Sequence, residues 1–135
     1  MHRILYISTA RAILSADAMQ EILRISRRNN DRAGVTGLLV VGGRRFLQAL
    51  EGPSEAVSET FDRISRDPRH FAVVKLGDQA VAARSFAQWS MGFETGGIAP
   101  EGASLAEQVE TLVATIQDAT LRAYFTGFAK SHSSV

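Results

Sequence analysis

The stretch Thr36-Gly37-Leu38-Leu39-Val40-Val41-Gly42-Gly43-Arg44-Arg45-Phe46-Leu47-Gln48-Ala49-Leu50-Glu51 decides the fold. Thr36 to Val41 is an apolar, β-favouring run that reads as a buried strand. Gly42-Gly43 is a tight-turn signal, and a second strand-like run, Arg45 to Glu51, follows at hairpin distance, so the two pair antiparallel. One residue of the second run breaks the local rule. Phe46, Gln48 and Leu50 share a strand face, which sets a primary amide between apolar neighbours. A buried amide without a partner costs on the order of 1–3 kcal/mol, so a backbone carbonyl, another side chain or a polar ligand has to meet it.

Upstream, Ile4-Leu5-Tyr6-Ile7-Ser8 reads as a central strand with Tyr6 at least partly buried. Ser15 is an N-cap, and Ala18, Met19, Ile22, Leu23, Ile25 and Ser26 recur at helical spacing opposite Asp17, Gln20, Glu21, Arg24 and Arg28. This predicts an amphipathic helix ending near Asn30. Downstream, Pro53 and Ser54 open a second helix with Val57, Phe61 and Ile64 on one face, and Asp67-Pro68 stops it. Phe71 to Leu76 and Phe86 to Phe93 supply two more strands. The order β-α-β-β-α-β-β predicts an α+β, ferredoxin-like sheet with both helices on one face. In this topology the first strand lies beside the third, so Tyr6 and Gln48 are neighbours if both point toward the helices. An asparagine at the end of a helix, as Asn30 is read, commonly serves as a C-terminal cap.

Gly96, Gly97, Pro100 and Gly102 mark a linker over 96–103, dividing a unit at 1–95 from a helical extension at 104–130 that Ser104 and Glu107 open as a capping box. Leu105, Val109, Leu112, Ile116, Ala119 and Ala123 step by four and three, an apolar seam suited to the back of the sheet or to a second helix, and the spacing leaves open whether Asp118 breaks it into two helices. The chain of 135 residues is 45% hydrophobic and 21% charged with a net charge of +1, the profile of one ordinary globular domain rather than of a nucleic-acid or membrane binder. It has no cysteine, which excludes disulfides, thiolate metal sites and cysteine nucleophiles and fits a cytoplasmic location. Gly42-Gly43 joins two strands and opens no helix, so it is no phosphate loop.

Five segments in register resemble the BLUF family, blue-light sensors using FAD: Tyr6-Ile7-Ser8; Asn30-Asp31-Arg32 with Val35-Thr36-Gly37-Leu38-Leu39; Phe46 to Pro53; Asp67-Pro68-Arg69-His70; and Arg84-Ser85-Phe86-Ala87-Gln88-Trp89-Ser90-Met91. The resemblance implies that residues 1–95 are a photosensor domain holding the flavin ring between the two helices, with Tyr6, Gln48 and Asn30 at its rim. It implies that Asn30 holds the C4 carbonyl edge, that Gln48 bridges the ring to Tyr6, and that light draws an electron and a proton from Tyr6 and leaves Gln48 rotated or tautomerised. Arg32, Arg69 and His70 match positions near the ring or the cofactor's polar chain, although an Arg-His pair after Asp-Pro equally suits a solvated turn; Asn29 stands at a position that varies in the family and faces the flavin rim; and Trp89 and Met91, core residues by sequence alone, match the pair of which one or the other lies near the glutamine and relays its state. The expected protein is a photoreceptor and not an enzyme, signalling by contact to a downstream protein or through a homo-oligomer interface. Two other readings compete: a flavin-binding interaction module without a photocycle, and a small ferredoxin-like hydrolase in which Asn30 and Arg32 bind an oxyanion.

Overall fold

The computed structural model describes residues 1–12, 15–86, 92–95, 105–114 and 116–132. Strands β1 (His2–Ala10), β2 (Thr36–Gly42), β3 (Arg45–Gly52), β4 (His70–Ala80) and β5 (Gly92–Thr95) form one sheet in the order β4-β1-β3-β2-β5. The first four are antiparallel to their neighbours, and β5 joins β2 in parallel. This is the expected ferredoxin-like arrangement. The hairpin closes with Gly42 opposite Arg45, and Gly43 takes φ 59° at the first loop position, the left-handed region that glycine enters without steric cost. Gly37 is required for a different reason: a Cβ there would lie 1.9 Å from the carbonyl oxygen of Ala49 on the paired strand.

Side chains alternate cleanly between two cores. Ile4, Tyr6, Leu39, Val41, Phe46 and Leu50 face the helices α1 (Ala16–Ala33) and α2 (Ser54–Ser65), packing with Leu23, Val57 and Phe61. Leu5, Leu38, Val40, Leu47 and Ala49 face the opposite way, against α3 (Leu105–Val113) and α4 (Ala119–His132), through Val109, Val113, Ile116, Leu121, Phe125 and Phe128. The C-terminal helices are thus a third layer sharing a core with the sheet.

Four sequence expectations are revised. First, α1 runs on to Ala33, because Gly34 in the left-handed conformation is the real cap; Asn30 lies within the last turns, and its carbonyl receives the N–H of Val35 at 2.9 Å. Second, β4 extends to Ala80, pairing with β1 as far as His2. Third, Phe86 does not start the last strand but lies in a bend, buried and edge-on to Phe125 with ring centroids 5.8 Å apart; the strand is described at Gly92–Thr95, and residues 87–91 lie outside the described residues. Fourth, the C-terminal seam is not continuous. Asp118 ends one helical phase and caps the next, its Oδ1 accepting from the N–H of Leu121 at 3.0 Å, so Ala119 and Ala123 face solvent while Leu121, Phe125 and Phe128 turn inward. The linker at 96–103 and the capping residue Ser104 lie outside the described residues.

Candidate functional site

The site grows from one rung of the sheet. Tyr6 on β1 and Gln48 on β3 are direct cross-strand partners, and Gln48 is level in turn with Leu39 on β2, which is level with Phe93 on β5. Even spacing along β3 turns Gln48 to the same face as Phe46 and Leu50, toward α1 and α2. Both polar side chains are buried there, Tyr6 3% and Gln48 5% exposed, and the Tyr6 hydroxyl donates to Oε1 of Gln48. Burial, and secondarily the negative charge of Asp67, pushes the Tyr6 phenol far above its ordinary ionisation range, so it stays protonated. Phe61 from α2 packs edge-on against the Tyr6 ring at 5.4 Å and fixes its plane.

Two adjoining cavities open in front of this pair, between the sheet and the helices. The first, about 110 Å³, is lined by Tyr6, Met19, Ile22, Ser26, Leu39, Phe46, Gln48, Ile64, Asp67, Arg69 and His70. The second, about 150 Å³, shares Ile22, Ser26, Gln48, Ile64, Asp67 and Arg69 with it and reaches Asn29, Asn30, Thr60 and Arg63. Each far exceeds the roughly 10–15 Å³ a single water needs. Apolar walls with a few amides and a phenol at one rim suit a planar ring with apolar faces and a polar edge, as a flavin has. The residues present therefore fit a flavin.

Most of the expected site residues converge here. Asn30 is 2% exposed on the inner side of α1, and half-buried Asn29 is beside it in the second cavity. The His70 ring is held at both nitrogens: Nε2 donates to the carbonyl of Ile64 at 2.6 Å, and Nδ1 meets Oγ of Ser8 at 2.8 Å. Arg69 lies on the wall but is turned onto Asp67, with Nε 2.9 Å from Oδ1; these hydrogen bonds hold the Asp67 carboxyl below the usual carboxylate range. Arg32 is exposed in the last turn of α1 and lines neither cavity. Trp89 and Met91 lie outside the described residues. Asp67 was read from sequence as a helix stop and as the start of a resembling segment but given no place in the site, yet it lines both cavities and its charge reaches Tyr6. Ser26 and Ser8 were read only as parts of their helix and strand, since a small hydroxyl in such a pattern carries no signal of its surroundings; Ser26 lines both cavities and Ser8 meets His70.

Comparison with known proteins bears on this geometry. Residues 1–92 match the family described as BLUF, sensors of blue-light using FAD. The chain is 38% identical over 73 residues to the blue light- and temperature-regulated antirepressor BluF of Escherichia coli, a match covering 54% of this chain and 18% of that protein. It is 33% identical over 87 residues to the beta subunit of a photoactivated adenylate cyclase of Euglena longa, covering 64% of this chain and 10% of that one. The chain thus spans less than a fifth of these curated relatives. Among solved structures, the dark state of the BLUF protein BlrB superposes with a TM-score of 0.73 at 31% identity, covering 96% of both chains.

Proposed function

The chain belongs to the BLUF family, sensors of blue light using FAD, and from that premise we propose a photoreceptor whose switch is the Tyr6–Gln48 pair. The observation that carries this reading is the buried phenol donating to the amide oxygen at the rim of a cleft fit for a flavin. When bound, the flavin supplies absorption of blue light and, once excited, a strong oxidant. Tyr6 is the donor of an electron and a proton. Its burial keeps the phenol protonated, so the proton is there to give, and the hydrogen bond to Gln48 provides the path along which it leaves and returns. Gln48 keeps the record: an amide has an acceptor at one end and donors at the other, so rotation or tautomerisation changes what it offers to Tyr6 and to the ring. Asn30 and Asn29 hold the ring edge, and Arg69 and His70, on the cavity wall, serve the ring or the cofactor's polar chain; Arg32, exposed and outside both cavities, has only the resemblance behind such a role.

We assign FAD as the particular flavin. The altered rung is relayed through Trp89 and Met91 to the C-terminal helices and from there, by contact, to a downstream protein in the cytoplasm. The segment is a sensor rather than an enzyme, and the photoactivated cyclases it resembles match it over about a tenth of their length. Self-association through the apolar seam is disfavoured, because Val109, Ile116, Leu121 and Phe125 already cover the sheet. No helix among the described residues is long and apolar enough to cross a membrane.

The test is colour and its response to light. Protein purified with FAD should be yellow, and blue light should shift its absorption reversibly to the red without bleaching. Colourless protein that does not take up FAD overturns the reading; colour without a shift favours an interaction module that lacks a photocycle.

A further inference from the structure

Glu51 follows Gln48 by three residues, and that odd spacing turns its side chain to the opposite face of the sheet, toward α3 and α4. There it is 0% exposed. A carboxylate is tolerated so deep only when charge and hydrogen bonds answer it. Its Oε1 accepts from the backbone N–H groups of Ser85 (2.8 Å) and Phe86 (2.9 Å), the last described residues before the segment that leads to β5. Its Oε2 is 3.5 Å from Nη1 of Arg3, its direct partner across the β1–β3 ladder. Arg3, itself 6% exposed, turns Nη2 to Oδ2 of Asp118 at 2.6 Å. Asp118 in turn is the residue that caps α4. Arg84 fastens the same segment from its other side, donating to the carbonyls of Gly34 (2.7 Å) and Glu51 (3.3 Å). A connected series of hydrogen bonds and ion pairs therefore runs from the backbone entering the β5 segment, through β3 and β1, to the first turn of α4.

We propose that Glu51 and Arg3 are positioning residues that couple the segment entering β5 to α4, carrying a change at Gln48 from the cleft to the C-terminal helices. The proposal rests on the photoreceptor reading above. An ionic link is suited to such coupling, because a guanidinium shared between two carboxylates has few arrangements. A displacement of the Ser85 and Phe86 amides then redistributes Arg3 between Glu51 and Asp118 instead of dissipating in packing.

Hydrogen exchange of the α4 amides, in the dark and under blue light, tests this on the full FAD-loaded chain, with the absorption spectrum recorded on the same samples. Two variants interrupt the link. Asp118→Asn keeps the capping oxygen and removes the charge facing Arg3. The double variant Arg3→Met with Glu51→Gln removes both buried charges together and keeps an acceptor for Ser85 and Phe86. In the wild type, light should alter exchange in the first turn of α4. Both variants should keep the red shift and shrink the light-minus-dark difference in α4 by a factor of about 2 or more. A merely structural role would change exchange equally in dark and light and leave that difference intact, which would overturn the proposal. So would a wild type that red-shifts with no response in α4. Absence of the red shift in the wild type would instead overturn the photoreceptor reading beneath it.

Discussion

At position 48 a single amide accepts from a phenol within the protein and borders the cleft in front of it. The strand pattern exposed the anomaly, since only residue parity was needed to put Gln48 between Phe46 and Leu50. What the pattern could not give was the exact rung, because register depends on the hairpin and on both neighbouring strands at once. The electrostatics of Tyr6 were equally illegible, since Asp67 is far away along the chain and meets it only through the fold. They carry a prediction. A phenol whose folded ionisation lies above the unfolded value of about 10 contributes stability that is fully present below a pH of about 10 and is lost as pH rises beyond it. In a Tyr124→Phe background, where Tyr6 is the one remaining tyrosine, the phenolate ultraviolet band should appear only together with alkaline unfolding. A band that develops in folded protein at the ordinary tyrosine pKa of about 10 would contradict the burial of this side chain.

At the level of elements, the first two helices and four strands were readable from periodicity, caps and turns, because each helix is amphipathic against one core and the central strands are apolar runs buried between two. The C-terminal helices were harder. Leu105 to Ile116 follow a regular spacing that the sequence carries on to Ala119 and Ala123 while leaving open whether Asp118 divides it, and the cap at Asp118 does divide it and resets the phase. The two phases make opposite predictions. Phe125, fully buried against Phe86, should lose about 3–5 kcal/mol on truncation to alanine. Ala123→Glu, on the exposed side, should change stability by no more than about 0.5 kcal/mol. Urea unfolding of the two variants measures both, and the reverse ranking would restore the continuous seam. The Glu51–Arg3–Asp118 link was beyond sequence reading for the same reason as Asp67: an arginine near the start of a strand and an aspartate before a helix look like ordinary surface charge until three layers are stacked.

For the molecule as a whole, one sheet separates two roles. The face bearing Ile4, Tyr6, Gln48 and Leu50 makes the cleft with α1 and α2; the face bearing Leu5, Leu38, Leu47 and Ala49 is sealed by α3 and α4. A chain ending at residue 95 would leave that second face open. An exposed apolar surface of this kind drives association, so light scattering should find the truncated chain self-associating at concentrations where the full chain does not; a truncated chain that stays dispersed would show that the helices are dispensable for the core. On the proposed reading, sensing and output then lie on opposite sides of the same strands, since β3 presents Gln48 to one side and Glu51 to the other.

The central claim, that the Tyr6–Gln48 pair is a light-operated switch, is tested most directly by the light-minus-dark absorption spectrum of FAD-loaded Gln48→Leu beside the wild type. The wild type should show a reversible red shift, and the variant should keep its yellow colour with no shift. A variant that shifts as the wild type does would contradict the claim.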